Sequence, residues 1–402
     1  MSKQAAAISV VHVIPALPVG GAETVVFHMV RGLDRRRFAP AVCVLGERGP
    51  MGEEMERAGI QVTALEMFNR GARLIRLVPQ LRSLLVERGV CIVHTHLYHG
   101  NYYGRLAAFA AGVPVTVTSV HNVYDRVKRH RRVINRWLAR RTDAILAVSE
   151  TVRQDILRWD GVPAEKVRLL PNGIDLDPFL APADREAARR ALALPPGLPV
   201  IGTVGRLEVQ KAQDVLLRAV AVLRRAGTDA VLLLVGDGRE REPLQALATS
   251  LGLRQRVRFL GTRRDLPLLY AAMDVFALPS RWEGMPLALI EAMAAAIPVV
   301  ATPVGGVPSV VEDGATGHLV PAEDVEALAA ALAGALRDPA TSRALAAAGR
   351  IRVMEMCSVE AMVRGLEALY LELMEKKSRN VKPTTDNRQL TTGQGTANAR
   401  RK

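Results

Sequence analysis

Short, nearly unbroken apolar runs alternate with longer stretches in which apolar residues return every three or four positions, and this rhythm holds from about residue 10 to about residue 370. The apolar runs predict strands at 10–14, 41–45, 60–64, 91–95, 114–118, 144–148 and 167–170, with helical segments between most of them, the first over about 22–33. Strands this short and continuously apolar belong in a parallel sheet covered on both faces, so the first half reads as one doubly wound, Rossmann-like α/β domain. A second series follows at 200–204, 231–235, 257–260, 275–278, 298–301 and 317–320. Between the two lie a turn, PNGID at 171–175, a Pro/Ala-rich passage, and a break, LPPGLP, at 194–199. The pattern therefore divides the chain into two Rossmann-like domains, 1–178 and 179–357. A helical run over 358–377 follows, then a polar, basic tail over 378–402 without periodicity that is expected to be disordered.

Length agrees with this division, because 402 residues exceed what one hydrophobic core usually serves. The net charge of +14 is concentrated in two places. Residues 126–141 hold eight Lys/Arg and no acid, and residues 376–402 hold eight more against Asp386, so the rest of the chain sums to about −1. Such a distribution describes local patches and excludes a uniformly basic nucleic-acid coat. The three cysteines, Cys43, Cys91 and Cys357, have no metal-ligand spacing, and the first two lie in apolar runs that suit reduced thiols in a cytosolic protein. The start passes directly into a strand without a signal-peptide pattern, and no apolar run reaches the about 18 residues of a membrane span.

Candidate chemistry sits where strands end. Gly20 and Gly21, in GGAE, follow the first strand and open a helix, where glycines let a backbone approach a phosphate and helix amides supply donors. A tight turn needing positive φ explains the same glycines equally well. The loop lacks the G-x-G-x-x-G spacing of a dinucleotide site. Arg206 and Lys211 follow the first strand of the second domain and are spaced to converge on a diphosphate, because cations beside a helix start oppose its dipole unless an anion joins them. Further on, Glu283 and Glu291 bracket Gly284, Met285, Pro286 and Leu287, a turn into a helix whose free amides form an anion site.

Histidines cluster at 94, 96 and 99, but with no acidic or cysteine ligand nearby they read as polar lining rather than a zinc site. His121 also stands at a strand's carboxyl edge. Asp175 and Asp177, in PNGID and the residues after it, read as a turn rather than a metal-binding pair. The 126–141 segment sets Val133, Ile134, Trp137 and Leu138 among its cations, a composition that fits a helix on an anionic membrane surface. A solvated basic face is the alternative; RNA fits worse, since no aromatic base platform accompanies the charges.

The E-x7-E pattern of Glu283 and Glu291, between a strand ending in LPS and the run IPVVATPVGG, resembles the retaining glycosyltransferases of the GT4 family, which have the GT-B fold. The resemblance spans roughly residues 10–370. It implies two domains facing a cleft, a C-terminal helix crossing back onto the first, a donor held mainly by the second, and an acceptor entering from the first. By the same resemblance Glu283 contacts the donor sugar, Glu291 the ribose, and Arg206 with Lys211 the leaving diphosphate. Gly20 and Gly21 match the family's first loop, and His121 aligns with its active-site histidine. A glycine usually follows the lysine, where this chain has Ala212. The implied function is sugar transfer from a UDP- or GDP-sugar to a glycan or lipid-linked acceptor in cell-surface polysaccharide synthesis, on the cytoplasmic face of a membrane, without metal or nucleic acid. A sugar-nucleotide epimerase or a non-catalytic carbohydrate or lipid-carrier binder are the alternatives.

Overall fold

The computed structural model of the protein describes residues 6–67, 74–123, 129–181 and 184–380. In the first half, strands β1 (Ile8–Ile14), β2 (Phe38–Val44), β3 (Gln61–Ala64), β4 (Ile92–His96), β5 (Val115–Val120), β6 (Ala144–Ala147) and β7 (Val167–Leu169) alternate with helices. These helices are α1 (Gly21–Gly32), α2 (Gly49–Arg57), α3 (Leu74–Glu87), α4 (Leu97–Ala111), α5 (Arg129–Arg141) and α6 (Glu150–Asp160). The seven strands form one sheet in the order β3-β2-β1-β4-β5-β6-β7, every pairing parallel.

After α7 (Asp177–Leu180) and α8 (Arg185–Ala191) the pattern repeats. Strands β8 (Val200–Val204), β9 (Val231–Val235), β10 (Val257–Gly261), β11 (Val275–Leu278), β12 (Val299–Ala301) and β13 (His318–Leu319) form a second parallel sheet, ordered β10-β9-β8-β11-β12-β13. Its helices are α9 (Gln213–Arg225), α10 (Arg241–Ser250), α11 (Leu266–Ala272), α12 (Leu287–Ala294), α13 (Val307–Val310), α14 (Val325–Arg337) and α15 (Pro339–Met356).

The central strands are buried along their whole length, as their Val/Ile/Leu runs require. Each sheet reverses its strand order once beside its first strand, between β1 and β4 and between β8 and β11. A doubly wound sheet opens a crevice outside the carboxyl ends of its strands at that reversal. The loops after β1, β4, β8 and β11 are therefore the ones the fold brings forward.

The last helix, α16 (Val359–Asn380), returns to the first domain. Its Met362, Leu366 and Tyr370 are buried in one core with Val10, Phe38, Ile92 and Val117. Glu367 accepts from the Asp34 amide at 2.7 Å, and Lys377 pairs with Asp143 at 2.8 Å. Residues 378–380, expected in the tail, continue this helix; residues 381–402 lie outside the described ones.

Candidate active site

Between β11 and α12 the chain runs from Pro279 to Pro286, and the side chain of Glu283 turns inward, 4% exposed. Ser280 Oγ donates to Glu283 Oε1 at 2.6 Å, and Lys211 Nζ reaches the same oxygen at 2.5 Å. Lys211 closes a single 3-10 turn, Val209–Lys211, after β8. That turn is held by Arg281, whose amide donates to Gln210 O at 2.8 Å and whose guanidinium donates to Val209 O at 2.6 Å and to Asp214 at 3.0 Å. The loops after β8 and β11 are thus laced together at the sheet's reversal point, and a buried ion pair sits between them. Of the two cations expected to converge on a diphosphate, Lys211 is paired with Glu283 and Arg206 is exposed.

Across from Arg206 stands Glu23 of the first domain, a residue that sequence reasoning quoted in GGAE but gave no role. Its carboxyl is pushed up by burial, an effect opposed by its own backbone amide and by the nearby charge of Arg206. Glu23 folds back over Gly20, where a Cβ would lie 2.4 Å from Glu23 Oε2. Gly20 therefore makes room for this carboxylate. Gly21 faces Leu287 of the second domain in ordinary contact.

At Gly284 the backbones of the two domains pack closely together. A Cβ there would lie 1.9 Å from His121 O, and one on Gly305, at φ +55°, would lie 1.7 Å from Glu283 O. No other residue fits either position. His121 is the first residue after β5, and the contact brings its backbone beside the residue that follows Glu283. The side chain hydrogen-bonds His96 at 3.1 Å through Nε2, and its buried Nδ1 has no partner among the described residues. Met285 accepts from the amide of Asn172 through sulfur at 3.1 Å and from Asn172 Nδ2 through its carbonyl at 3.2 Å, so it binds the interdomain turn. Pro286 caps α12.

Glu291, one turn into α12, accepts from the buried Tyr270 hydroxyl at 2.8 Å. Burial pushes its carboxyl up to about 7, and the Tyr270 hydrogen bond works in the opposite direction.

The departure at Ala212 has a physical cost. Its backbone is left-handed, φ 49° and ψ 40°, and the residue is 1% exposed. An L-residue there is strained by about 1–2 kcal/mol, less the unfolded-state freedom that glycine would add. Ala212→Gly is therefore expected to raise stability by about 0.5–1 kcal/mol, read as a higher urea midpoint with unchanged slope.

His94 and His96, expected as polar lining, lie buried within the sheet. β4 runs through His96, so His94 and His96 are strand residues on one face, joined there by His12 of β1, and all three are fully buried. Their ligand atoms lie within 4.8 Å of one another. His12 Nδ1 hydrogen-bonds His96 Nε2 at 3.0 Å, while His94 spends its nitrogens on Tyr370 and Ser119, both at 2.7 Å. Asp175 Oδ1 accepts from the Asp177 amide at 3.2 Å, the turn expected of PNGID.

The basic segment forms α5, described from residue 129, with side chains described from Arg132. The four apolar residues do not share one face, as expected of a single stripe. Leu138 packs into the core and Ile134 is part-buried, whereas Val133, 70% exposed, and Trp137, 43% exposed, point outward beside the exposed Arg136 and Arg140. Residues 133 and 137 lie one turn apart, as do 134 and 138, so the helix carries an inner and an outer apolar pair. No described helix is long and apolar enough to cross a membrane.

Residues 184–352 match the family described as "Glycosyl transferases group 1" and residues 19–178 match "Glycosyltransferase Family 4". The D-inositol 3-phosphate glycosyltransferase of Corynebacterium jeikeium is 30% identical over 88% of this chain and 92% of its own. An Escherichia coli UDP-Gal:alpha-D-GlcNAc-diphosphoundecaprenol alpha-1,3-galactosyltransferase is 28% identical over 82% of this chain and 88% of its own. The match to the Salinispora tropica D-inositol 3-phosphate glycosyltransferase is 37% identical and spans 64% of that protein. Among solved structures, Anabaena HepE in complex with UDP and glucose superposes with a TM-score of 0.82 at 23% identity, over 91% of this chain and all of that one.

Proposed function

We propose, for a chain that belongs to the group 1, family 4 glycosyltransferases, that it moves a hexosyl or N-acetylhexosaminyl unit from a UDP- or GDP-sugar, with retention, to a glycan or lipid-linked acceptor. The observation that carries the reading is the buried Lys211–Glu283 pair at the reversal point of the second sheet, one residue from the Gly284–His121 contact. A carboxylate and a cation there serve opposite ends of one substrate. Glu283 takes sugar hydroxyls. Lys211, with two further N–H donors, and Arg206 take the departing diphosphate, helped by the α12 amides. Glu291 takes the ribose, and His121 stands beside the sugar. Retention requires attack on the face from which the diphosphate leaves, so the task of these groups is to hold charge in place through an oxocarbenium-like state. The exposed Arg206 faces Glu23 across the cleft, which supports a site closed by both domains.

Lipid-linked acceptors are supported by the E. coli relative, whose acceptor is an alpha-D-GlcNAc-diphosphoundecaprenol. A screen of UDP- and GDP-sugars by thermal shift tests the donor: the cognate one, at about 100 times its Kd, stabilises the fold by about 2.7 kcal/mol. A set in which none raises the melting temperature would leave the reading without a substrate. Transfer, as opposed to epimerisation, is then read from product appearing only with acceptor present.

The outer face of α5 supports a place at the membrane surface. Each cation near an anionic bilayer contributes roughly 1 kcal/mol, and Trp137 with Val133 adds apolar contact. Replacing Arg136 and Arg140 by Glu and Trp137 by Ser is expected to cut sedimentation with phosphatidylglycerol vesicles at least tenfold, while phosphatidylcholine vesicles bind neither form. Unchanged sedimentation would return these charges to a solvated face.

A further inference from the structure

Behind His121 runs a line of buried hydrogen bonds that the transfer reaction, as drawn above, does not use. Ser119 Oγ lies 2.7 Å from His94 Nε2, and His94 Nδ1 lies 2.7 Å from the Tyr370 hydroxyl. That hydroxyl lies 3.4 Å from His12 Nε2; His12 Nδ1 is 3.0 Å from His96 Nε2, and His96 Nδ1 is 3.1 Å from His121 Nε2. Ser119, His94, Tyr370, His12 and His96 are each at most 1% exposed. Burial holds the rings neutral, lowering His12 to about 3, His121 to about 4, and His94 and His96 well below the usual range.

A neutral imidazole has one proton, so it donates from one nitrogen and accepts on the other. Rings and hydroxyls joined end to end must then all point their protons the same way. Only two senses satisfy every link. With protons running toward Ser119, the serine O–H is the unpaired donor, because among the described residues Ser119 Oγ has no partner besides His94. That donor lies inside the sheet, where no substrate oxygen can reach it. With protons running the other way, Ser119 donates to His94 and the unpaired donor is the buried His121 Nδ1–H, on the residue whose backbone meets Gly284 of the second domain. An oxygen-rich ligand in the cleft leaves the second sense with no unpaired donor and the first with one, and a buried unpaired donor is the costlier defect.

We propose that Ser119, His94, Tyr370, His12 and His96 are positioning residues that fix His121 as its Nδ1–H tautomer, a hydrogen-bond donor to an oxygen of the sugar nucleotide. The proposal rests on the reading of His121 as a group beside the donor sugar. It also ties that histidine to α16, since Tyr370 is the one link contributed by the helix that crosses back from the second domain.

The full chain, labelled with 15N at histidine, is expected to show His121 protonated at Nδ1 in long-range correlation spectra. Tyr370→Phe cuts the line in the middle, so His121 should become a mixture of tautomers and kcat should fall about tenfold with the KM for nucleotide-sugar within twofold. Ser119→Ala removes only the terminal hydroxyl and should act in the same direction; it decides the matter if melting shows that Tyr370→Phe does not fold. His121→Ala tests the underlying reading separately: wild-type turnover in that variant sinks the reading itself. An inactive His121→Ala together with wild-type kcat and tautomer in both Tyr370→Phe and Ser119→Ala sinks the positioning proposal alone. One zinc per chain in the purified protein would also overturn it, because a metal on His12, His94 and His96 would occupy the lone pairs that the line requires.

Discussion

Lys211→Ala is expected to lower turnover of nucleotide-sugar by two to three orders of magnitude, about 3–4 kcal/mol, the usual effect of removing one preorganised electrostatic group aimed at developing charge. The same substitution has a second consequence that exposure of the residue alone would not suggest. Lys211 is the cationic partner of a carboxylate that is 4% exposed, and removing one member of a buried pair commonly costs about 3–5 kcal/mol of stability. Ser280 and Gln210 still donate to Glu283, which places the expected loss at the lower end of that range. Glu283→Gln keeps the shape and the hydrogen bond from Ser280 while removing the charge, so it is expected to be better tolerated in folding and still slow in transfer. The comparison is made by chemical denaturation and by initial rates on the same preparations. If Lys211→Ala lost neither stability nor turnover beyond twofold, the pair would be a surface contact of no consequence and the assignment of Lys211 to the leaving group would go with it. Binding of the bare nucleotide diphosphate separates the roles further: Lys211→Ala weakens it, whereas Glu283→Gln leaves it near wild type because the sugar is absent.

The two parallel sheets were legible because apolar strands buried on both faces leave a continuous run, and β8, β9 and β11 fall on the residues that such runs predict. Ends were less legible where polar residues extend a strand inside the core. The pattern predicts this strand over 91–95, and the polar His96 just beyond it gives no sign of belonging to the sheet, yet pairing carries β4 to His96 opposite Ser119. Glu23 gave no signal beyond its place at the start of a helix, because its meaning depends on Arg206, which belongs to the other domain. The Lys211–Glu283 pair was hidden for the same reason: 72 residues separate two loops that only the strand order β8-β11 makes neighbours. The inner and outer pairs of α5 have identical spacing and identical chemistry in sequence, and only the neighbouring helices decide which pair is covered. Ala212 was visible as a departure, but its left-handed backbone, and hence the reason a glycine suits it, was not.

The affinity for the nucleotide diphosphate is expected to depend on pH through Glu291. Its carboxyl is raised from about 4.5 to about 7 by burial, so at pH 6 most of the unliganded protein carries it protonated. A ribose diol offers two O–H donors, and a carboxylate accepts both more strongly than a carboxyl does. Binding therefore selects the ionised form and lowers the group's pKa in the complex. The sign follows: a proton is released on binding, affinity rises with pH up to about 7, and it levels off above. Below that point each pH unit costs up to about tenfold in affinity, or about 1.4 kcal/mol, until the pKa of the complex is reached. His121, lowered to about 4, stays neutral throughout this window and does not add to the slope. The terminal phosphate of the ligand itself titrates near pH 6, with its charged form favoured by Lys211 and Arg206, so its contribution runs in the same direction. Glu291→Gln separates the two, since it keeps the ligand's titration and removes the protein's. Calorimetry between pH 5.5 and 8 should show a steeper rise for wild type than for Glu291→Gln, with wild type releasing more protons near pH 6 in buffers of different ionisation enthalpy. Parallel pH profiles in the two proteins would mean that Glu291 keeps its proton against Tyr270 when the nucleotide binds, and the ribose would then have to be held by another group on α12 or the loops beside it.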